Sequence, residues 1–209
     1  MADRDSAARP AAIRLLLASS NPGKLREYRE LARGSAVDLD LLPNFRKLTV
    51  FEETAPTFAE NALGKALYYS GFTDEMLIAE DSGLVVPALG GAPGVYSARY
   101  AGPNGSDSDC VQKLLREMRG KAGGDRRARF VCVTALARRG RALAVVSDCV
   151  DGLIADEPRG AQGFGYDPVF LLPDFGRTSA EISEEEKNRI SHRGRAFRKV
   201  QGILTDPSF

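Results

Sequence analysis

The stretch from Ile13 to Ala32 constrains the fold most. Ile13–Ser19 (IRLLLAS) is a short apolar run that ends in the turn cluster Ser20-Asn21-Pro22-Gly23. A run of that length bounded by turn residues predicts a buried strand. Beyond the turn, Leu25, Tyr28, Leu31 and Ala32 recur at helical spacing and Gly34 lies near the stop, so Lys24–Ala32 reads as a helix. A buried strand passing through a tight turn into a helix points to an α/β architecture.

The rest of the chain continues the alternation. Val37–Leu42 reads as a second strand, followed by an irregular stretch, Pro43–Pro56, that carries Glu52-Glu53. Thr57–Ser70 reads as a helix, with Thr57 and Glu60 spaced as a capping box and Gly71 at the stop. Gly64 is a weak point inside it, costing about 1 kcal/mol relative to Ala. Met76–Ala79 reads as a third strand ending at Glu80-Asp81-Ser82-Gly83, with Leu84–Val86 as another edge. Ser108–Arg119 has one apolar face and reads as a helix. Ala128–Ala137 and Ala142–Ser147 flank Arg138-Arg139-Gly140-Arg141 as a hairpin, and Val150–Ala155 reads as a further strand. A Gly-rich loop, Gly160–Asp167, leads to a strand at Pro168–Leu172. Glu184–Arg189 and Arg195–Leu204 read as closing helices. Residues 1–12 read as a flexible tail and residues 13–209 as a single α/β domain: a mixed sheet with helices on its faces and two lobes.

Charge narrows the function classes. The 209 residues carry 29 Lys+Arg against 28 Asp+Glu, a net charge of +1, which argues against a nucleic-acid binder but leaves room for a compact anion site. Cys110, Cys132 and Cys149 fit no zinc spacing, and an odd number completes no disulfide framework, so a reducing, cytoplasmic setting is expected. No run of 18 apolar residues is present, so no membrane span is expected.

Several segments carry candidate chemistry. Ser19, Ser20, Asn21, Pro22, Gly23 and Lys24 lie between a strand and a helix, where hydroxyls, free N–H groups and a lysine suit a phosphate; the same residues also suit a helix cap. Glu52, Glu53, Glu80 and Asp81 offer hard oxygen ligands for Mg²⁺, although Asp-Ser-Gly is also a turn sequence. Lys65 shares a polar helix stripe with Glu60, Asn61 and Gly64. Phe164, Gly165, Tyr166 and Asp167 place aromatics beside a hydrogen-bond acceptor, as base stacking requires. Lys187, Ser191, His192 and Arg193 gather charge around the only histidine. Arg99, among tyrosines, is a further candidate.

Five segments together are more specific than any one. LASSNPGKLREYRELA, FEETAPTFAENALGKA, IAEDSGLVVPALGGAPGVYSARYAG, GFGYDPVF and AEISEEEKNRISHRGRA run in order from Leu17 to Ala196. In these the chain resembles the inosine triphosphate pyrophosphatase family (dITP/XTP pyrophosphatases). The resemblance implies an elongated mixed sheet flanked by helices, two lobes with a central cleft, and a homodimer. It implies hydrolysis of a small-molecule substrate, a non-standard purine triphosphate (ITP, dITP, XTP), to monophosphate and pyrophosphate. By the same match Ser19–Lys24 hold the triphosphate and Lys65 lies on the phosphate side. Glu52 and Asp81 are Mg²⁺ ligands and Asp81 is the general base. Ser82, Phe164–Asp167, Lys187, His192 and Arg193 bind the nucleotide. The chain departs from the family pattern at Glu80, where an Asp is usual, at Ala55 and at Gly64. Glu53 beside Glu52 leaves the metal ligand ambiguous by one residue, the longer Glu80 has the reach to shift the metal or meet the water, and these departures are expected to tune geometry and helix stability with the reaction unchanged.

Overall fold

The computed structural model describes residues 12–209, so all but the last residue of the expected tail lies outside the described residues. Strand β1 (Ile13–Leu17) is followed by helix α1 (Pro22–Ala32) and strand β2 (Val37–Leu41). Helix α2 (Phe58–Ser70) precedes β3 (Met76–Val85), and α3 (Asp107–Glu117) precedes the hairpin of β4 (Arg127–Arg138) and β5 (Arg141–Ile154). Short strands β6 (Phe170–Leu172) and β7 (Arg177–Thr178) and helices α4 (Glu184–Ile190) and α5 (His192–Thr205) complete the chain. They form one seven-stranded sheet in the order β2-β1-β3-β4-β5-β6-β7. β1 pairs parallel with β2 and β3, and every later pairing is antiparallel. The expected mixed α/β sheet is therefore present.

Side-chain alternation along the strands sorts the core into layers. Leu16, Ala18, Leu77, Ala79, Val133 and Ala135 meet Ala62, Ala66 and Tyr69 of α2 on one face. Leu15, Leu17, Ile78 and Leu136 meet Tyr28 and Ala32 of α1 and Phe197, Val200 and Leu204 of α5 on the other. A third core lies farther along the hairpin, where Ala128, Phe130 and Ile154 pack with Leu114 and Met118 of α3 and with Phe170 and Leu172. Strands of twelve and fourteen residues reach between these cores; at about 3.4 Å per residue they span roughly 40 Å. Two lobes thus share one long hairpin.

Three sequence expectations change. β3 does not stop at Ala79: Glu80, Asp81, Ser82 and Gly83 pair with Thr134, Val133, Cys132 and Val131, and the strand runs unbroken to Val85. Asp-Ser-Gly resembles a turn only when its neighbour across the sheet is unknown. Likewise Val150–Ala155 is no separate strand; β5 runs through it to Ile154. α5 begins at His192, because the Ser191 hydroxyl caps it by accepting from the Gly194 N–H, and so His192 and Arg193 stand in its first turn.

Candidate active site

A cleft of about 630 Å³ opens between the lobes, within the size range of small-molecule sites. It gathers the β1–α1 turn, the wall from Phe45 to Glu53, Lys65 of α2, the middle of β3, segment 94–99, the loop at Phe164–Asp167 and the start of α5.

Period two along β3 divides its acids between the faces. Glu80 shares the side of Ile78, toward α1 and α5; Asp81 shares the side of Leu77 and Ala79, toward α2. Glu80 is fully buried and saturated: it accepts from Arg193 Nε at 2.9 Å and Nη2 at 2.7 Å, from the Tyr28 hydroxyl at 2.7 Å and from Ser82 Oγ at 2.9 Å, and pairs with Lys24 at 3.0 Å. Burial works against its charge, but Arg193 and Lys24 outweigh it and hold the carboxyl well below the usual range. Glu80 is therefore committed to Arg193, Tyr28, Ser82 and Lys24 on the face opposite Asp81.

Asp81 faces a different environment. Its Oδ2 accepts from Asn61 at 3.0 Å and its Oδ1 from the Ser82 N–H at 2.9 Å. Burial raises its pKa, and the nearby Glu53 charge raises it further. Glu53 lines the cleft and pairs with Lys65. Glu52 is exposed and is not among the lining residues, because the backbone there turns successive side chains to opposite sides. The structure thus puts Glu53, and not the expected Glu52, beside Asp81.

The β1–α1 turn serves as both cap and wall. Asn21 Oδ1 accepts the Lys24 N–H at 3.1 Å, Ser19 Oγ accepts the Asn21 N–H, and Ser19, Ser20, Asn21 and Lys24 line the cleft. Pro22 is exposed and lines an adjoining cavity of about 380 Å³ instead. Gly23 is buried under Phe164; a Cβ there would meet the ring at 2.6 Å, so no other residue fits without moving the aromatic.

The far side is a buried ion network. Lys187 pairs with Asp167 at 2.5 Å and with Glu27 at 2.6 Å, and Arg193 bridges Glu27 and Glu80. Burial opposes the charge on Glu27, yet Arg193 and Lys187 bring its pKa down to about 2. Nothing in the spacing of Glu27 singled it out: on α1 it looks like one more surface acid. Phe164 lies within cation–π range of Lys187 and Arg193. Tyr166 is buried, its hydroxyl donating to the Ser97 carbonyl at 2.9 Å, and Gly165 N–H donates to Asp107. His192 stacks on Phe130 at 4.8 Å, and its Nδ1 is buried without a partner. Burial, and then the Arg193 charge, push its pKa down to about 3, so the ring is neutral.

Each expected cation already has an acid: Lys24 with Glu80, Lys65 with Glu53, and Lys187 and Arg193 with Glu27. Lys24, Arg46, Lys65, Arg99, Lys187 and Arg193 line the cleft with Glu53, Asp81, Asp107 and Asp167. With Glu27 and Glu80 behind them, six cations meet six carboxylates. A polyanion entering this balanced cleft requires added positive charge. Asp81 and Glu53, two mutually repelling carboxylates, suit a hard dication. Among the described residues no group of three or more His, Cys, Asp or Glu is placed to hold a metal ion.

Fold and cleft together define a class, the mixed-sheet α/β proteins with a charged groove between two lobes. The chain belongs to the Ham1 family, whose model matches residues 15–203. It is 50% identical over 186 residues to the dITP/XTP pyrophosphatase of Geobacillus kaustophilus, covering 89% of this chain and 91% of that protein. It is 43% identical over 189 residues to the dITP/XTP pyrophosphatase of Bacillus subtilis, covering 90% and 96%. A solved HAM1 protein from Coxiella burnetii superposes with a TM-score of 0.82 at 41% identity, over 93% of this chain and 99% of that one.

Proposed function

We propose that this protein is a Mg²⁺-dependent nucleoside triphosphate pyrophosphatase that hydrolyses non-standard purine nucleotides (ITP, dITP, XTP) to monophosphate and pyrophosphate. Family membership and the names of the relatives support the reaction. The observation that carries the reading to these residues is the cleft itself: the Ser19–Lys24 turn, the Asp81–Glu53 pair and Phe164 with His192 share one groove.

Asp81 is the general base, orienting a water toward the α-phosphorus. Asn61 and the Ser82 N–H fix its carboxylate. Lys24 and Lys65 stabilise the departing pyrophosphate. Asp81 and Glu53, in place of Glu52, would hold Mg²⁺, which when bound with the substrate phosphates neutralises the charge developing on the leaving group. At the other end Phe164 offers its ring to the base. His192 also lines the cleft, and its neutral imidazole carries one N–H to offer the O6 of a 6-oxo purine. Lys187, Asp167 and Arg193 hold that end rigid through Glu27.

None of the described helices is long and apolar enough to cross a membrane, and the reading places the enzyme in the cytoplasm. The resemblance to the pyrophosphatase family is what suggests a homodimer, which light scattering of the purified chain would test. The decisive assay offers ITP, dITP, XTP, GTP, ATP, dTTP and UTP with and without Mg²⁺ and identifies the products. Pyrophosphate from ITP and XTP, only with Mg²⁺, is expected. Orthophosphate release, a pyrimidine preference or tight binding without turnover would overturn the reading.

A further inference from the structure

Glu53 sits on a stretch with no helix or strand of its own, between Leu48 and Thr57. Side chains of α2 hold that stretch from one side. The Tyr69 hydroxyl accepts the Phe51 N–H at 3.0 Å, Asn61 grips both main-chain groups of Ala55, and Lys65 pairs with Glu53. From across the cleft comes Arg99, whose Nη2 donates to the Glu53 carbonyl at 2.9 Å. Among the described residues this is the only hydrogen bond between 48–56 and segment 94–99.

Arg99 itself stands on a fixed base. Its guanidinium lies 5.1 Å from the centre of the Tyr96 ring. Ser97, two residues before it, accepts the Leu84 N–H of β3 at 2.9 Å and donates to the Gly94 carbonyl at 2.7 Å. The same residue's carbonyl holds Tyr166. The segment is thus fastened both to the strand that carries Asp81 and to the aromatic loop.

We propose that Arg99 is a positioning residue: it ties the Glu53 main chain across the mouth of the cleft and so keeps the Glu53 carboxylate beside Asp81 and Lys65. This rests on the role given to Glu53 above. A carboxylate on an irregular segment gripped from one side can swing; gripped from both sides, it has a defined place. Misplacement by about 1 Å in a site of this kind can cost roughly 10²-fold in rate.

The test uses the full chain with Arg99→Ala and Arg99→Lys. In the nucleotide-free protein, Arg99→Ala should speed amide hydrogen exchange over residues 51–54 by about tenfold or more, with α2 and β3 unchanged. With ITP and Mg²⁺, kcat should fall about 10- to 100-fold while KM moves less than about threefold. Arg99→Lys, which keeps a donor, should recover part of both effects. Unaltered exchange over 51–54, or faster exchange with kcat intact, overturns the proposal. So does an increase spread evenly over the chain with Lys no better than Ala. Because exchange is read without nucleotide, a wild-type chain inactive on ITP would strike the proposed reaction and leave the Arg99 tie to be judged by exchange alone.

Discussion

Glu80 and Asp81 are adjacent in sequence, yet the strand sends them into different chemistry. Glu80 closes an ion network with Arg193, Tyr28 and Lys24, whereas Asp81 shares its side with Glu53 and Lys65. Substitution should separate the roles. Asp81→Asn removes the base and should lower kcat by about 10²–10⁴ with ITP. Glu53→Gln should lower kcat about tenfold or more and raise the Mg²⁺ concentration needed for half-maximal rate, while Glu52→Gln should leave both within about twofold. Steady-state kinetics across a Mg²⁺ series checks all three, and a larger effect at position 52 than at 53 would return the metal to the exposed acid. These residues were singled out chiefly through the resemblance of five ordered segments to a known family; taken one at a time, each segment also fitted a helix cap, a turn or a solvated face. The choice between positions 52 and 53 was not legible, since adjacent acids differ only in which way an irregular backbone turns them. Glu27 was hidden for another reason: its importance comes from Lys187 and Arg193, more than 150 positions away in the chain.

At the level of elements, local chemistry was read best where it is self-contained. Thr57 caps α2 as its spacing implied, and the hairpin closes through Arg139 and Gly140, both at positive φ, as a two-residue turn requires. Polar residues inside β3 defeated the reading because only pairing with β4 makes them a strand. Gly64 in α2 belongs to the same argument. Alone it is a helix weakness, yet a Cβ there would meet the Phe51 ring at 2.7 Å, so the missing side chain makes room for the segment that carries Glu53. Gly64→Ala should gain about 1 kcal/mol in helix propensity and lose a similar amount by displacing Phe51. Tm should therefore change little, while kcat falls severalfold because residues 51–53 shift. Thermal melts and ITP kinetics on the same variant check this. A stabilised enzyme with unaltered kcat would show that Phe51 gives way without disturbing Glu53.

The whole molecule's response to acid follows from its single histidine. His192 is held neutral, with a folded pKa of about 3 against an ordinary value of 6.5. Since the folded value is the lower one, the unfolded chain takes up the proton first as pH falls. The stability associated with neutral His192 is fully present above pH 6.5 and declines as pH drops toward 3. Glu27 has the same sign in a lower window: its folded pKa is about 2 against 4.5, so its contribution is intact above pH 4.5 and is lost below. Burial raises Asp81 and Asp167, which act oppositely by favouring the folded state on protonation. Between pH 6.5 and 5 His192 contributes a loss with a limiting slope of about 1.4 kcal/mol per pH unit. Urea unfolding should show the wild type losing roughly 2 kcal/mol more than His192→Gln across that window. A wild-type profile with the same slope as His192→Gln from pH 7 to 5 would mean that His192 takes up its proton inside the folded protein, and the neutral imidazole assigned to base recognition would have to be abandoned.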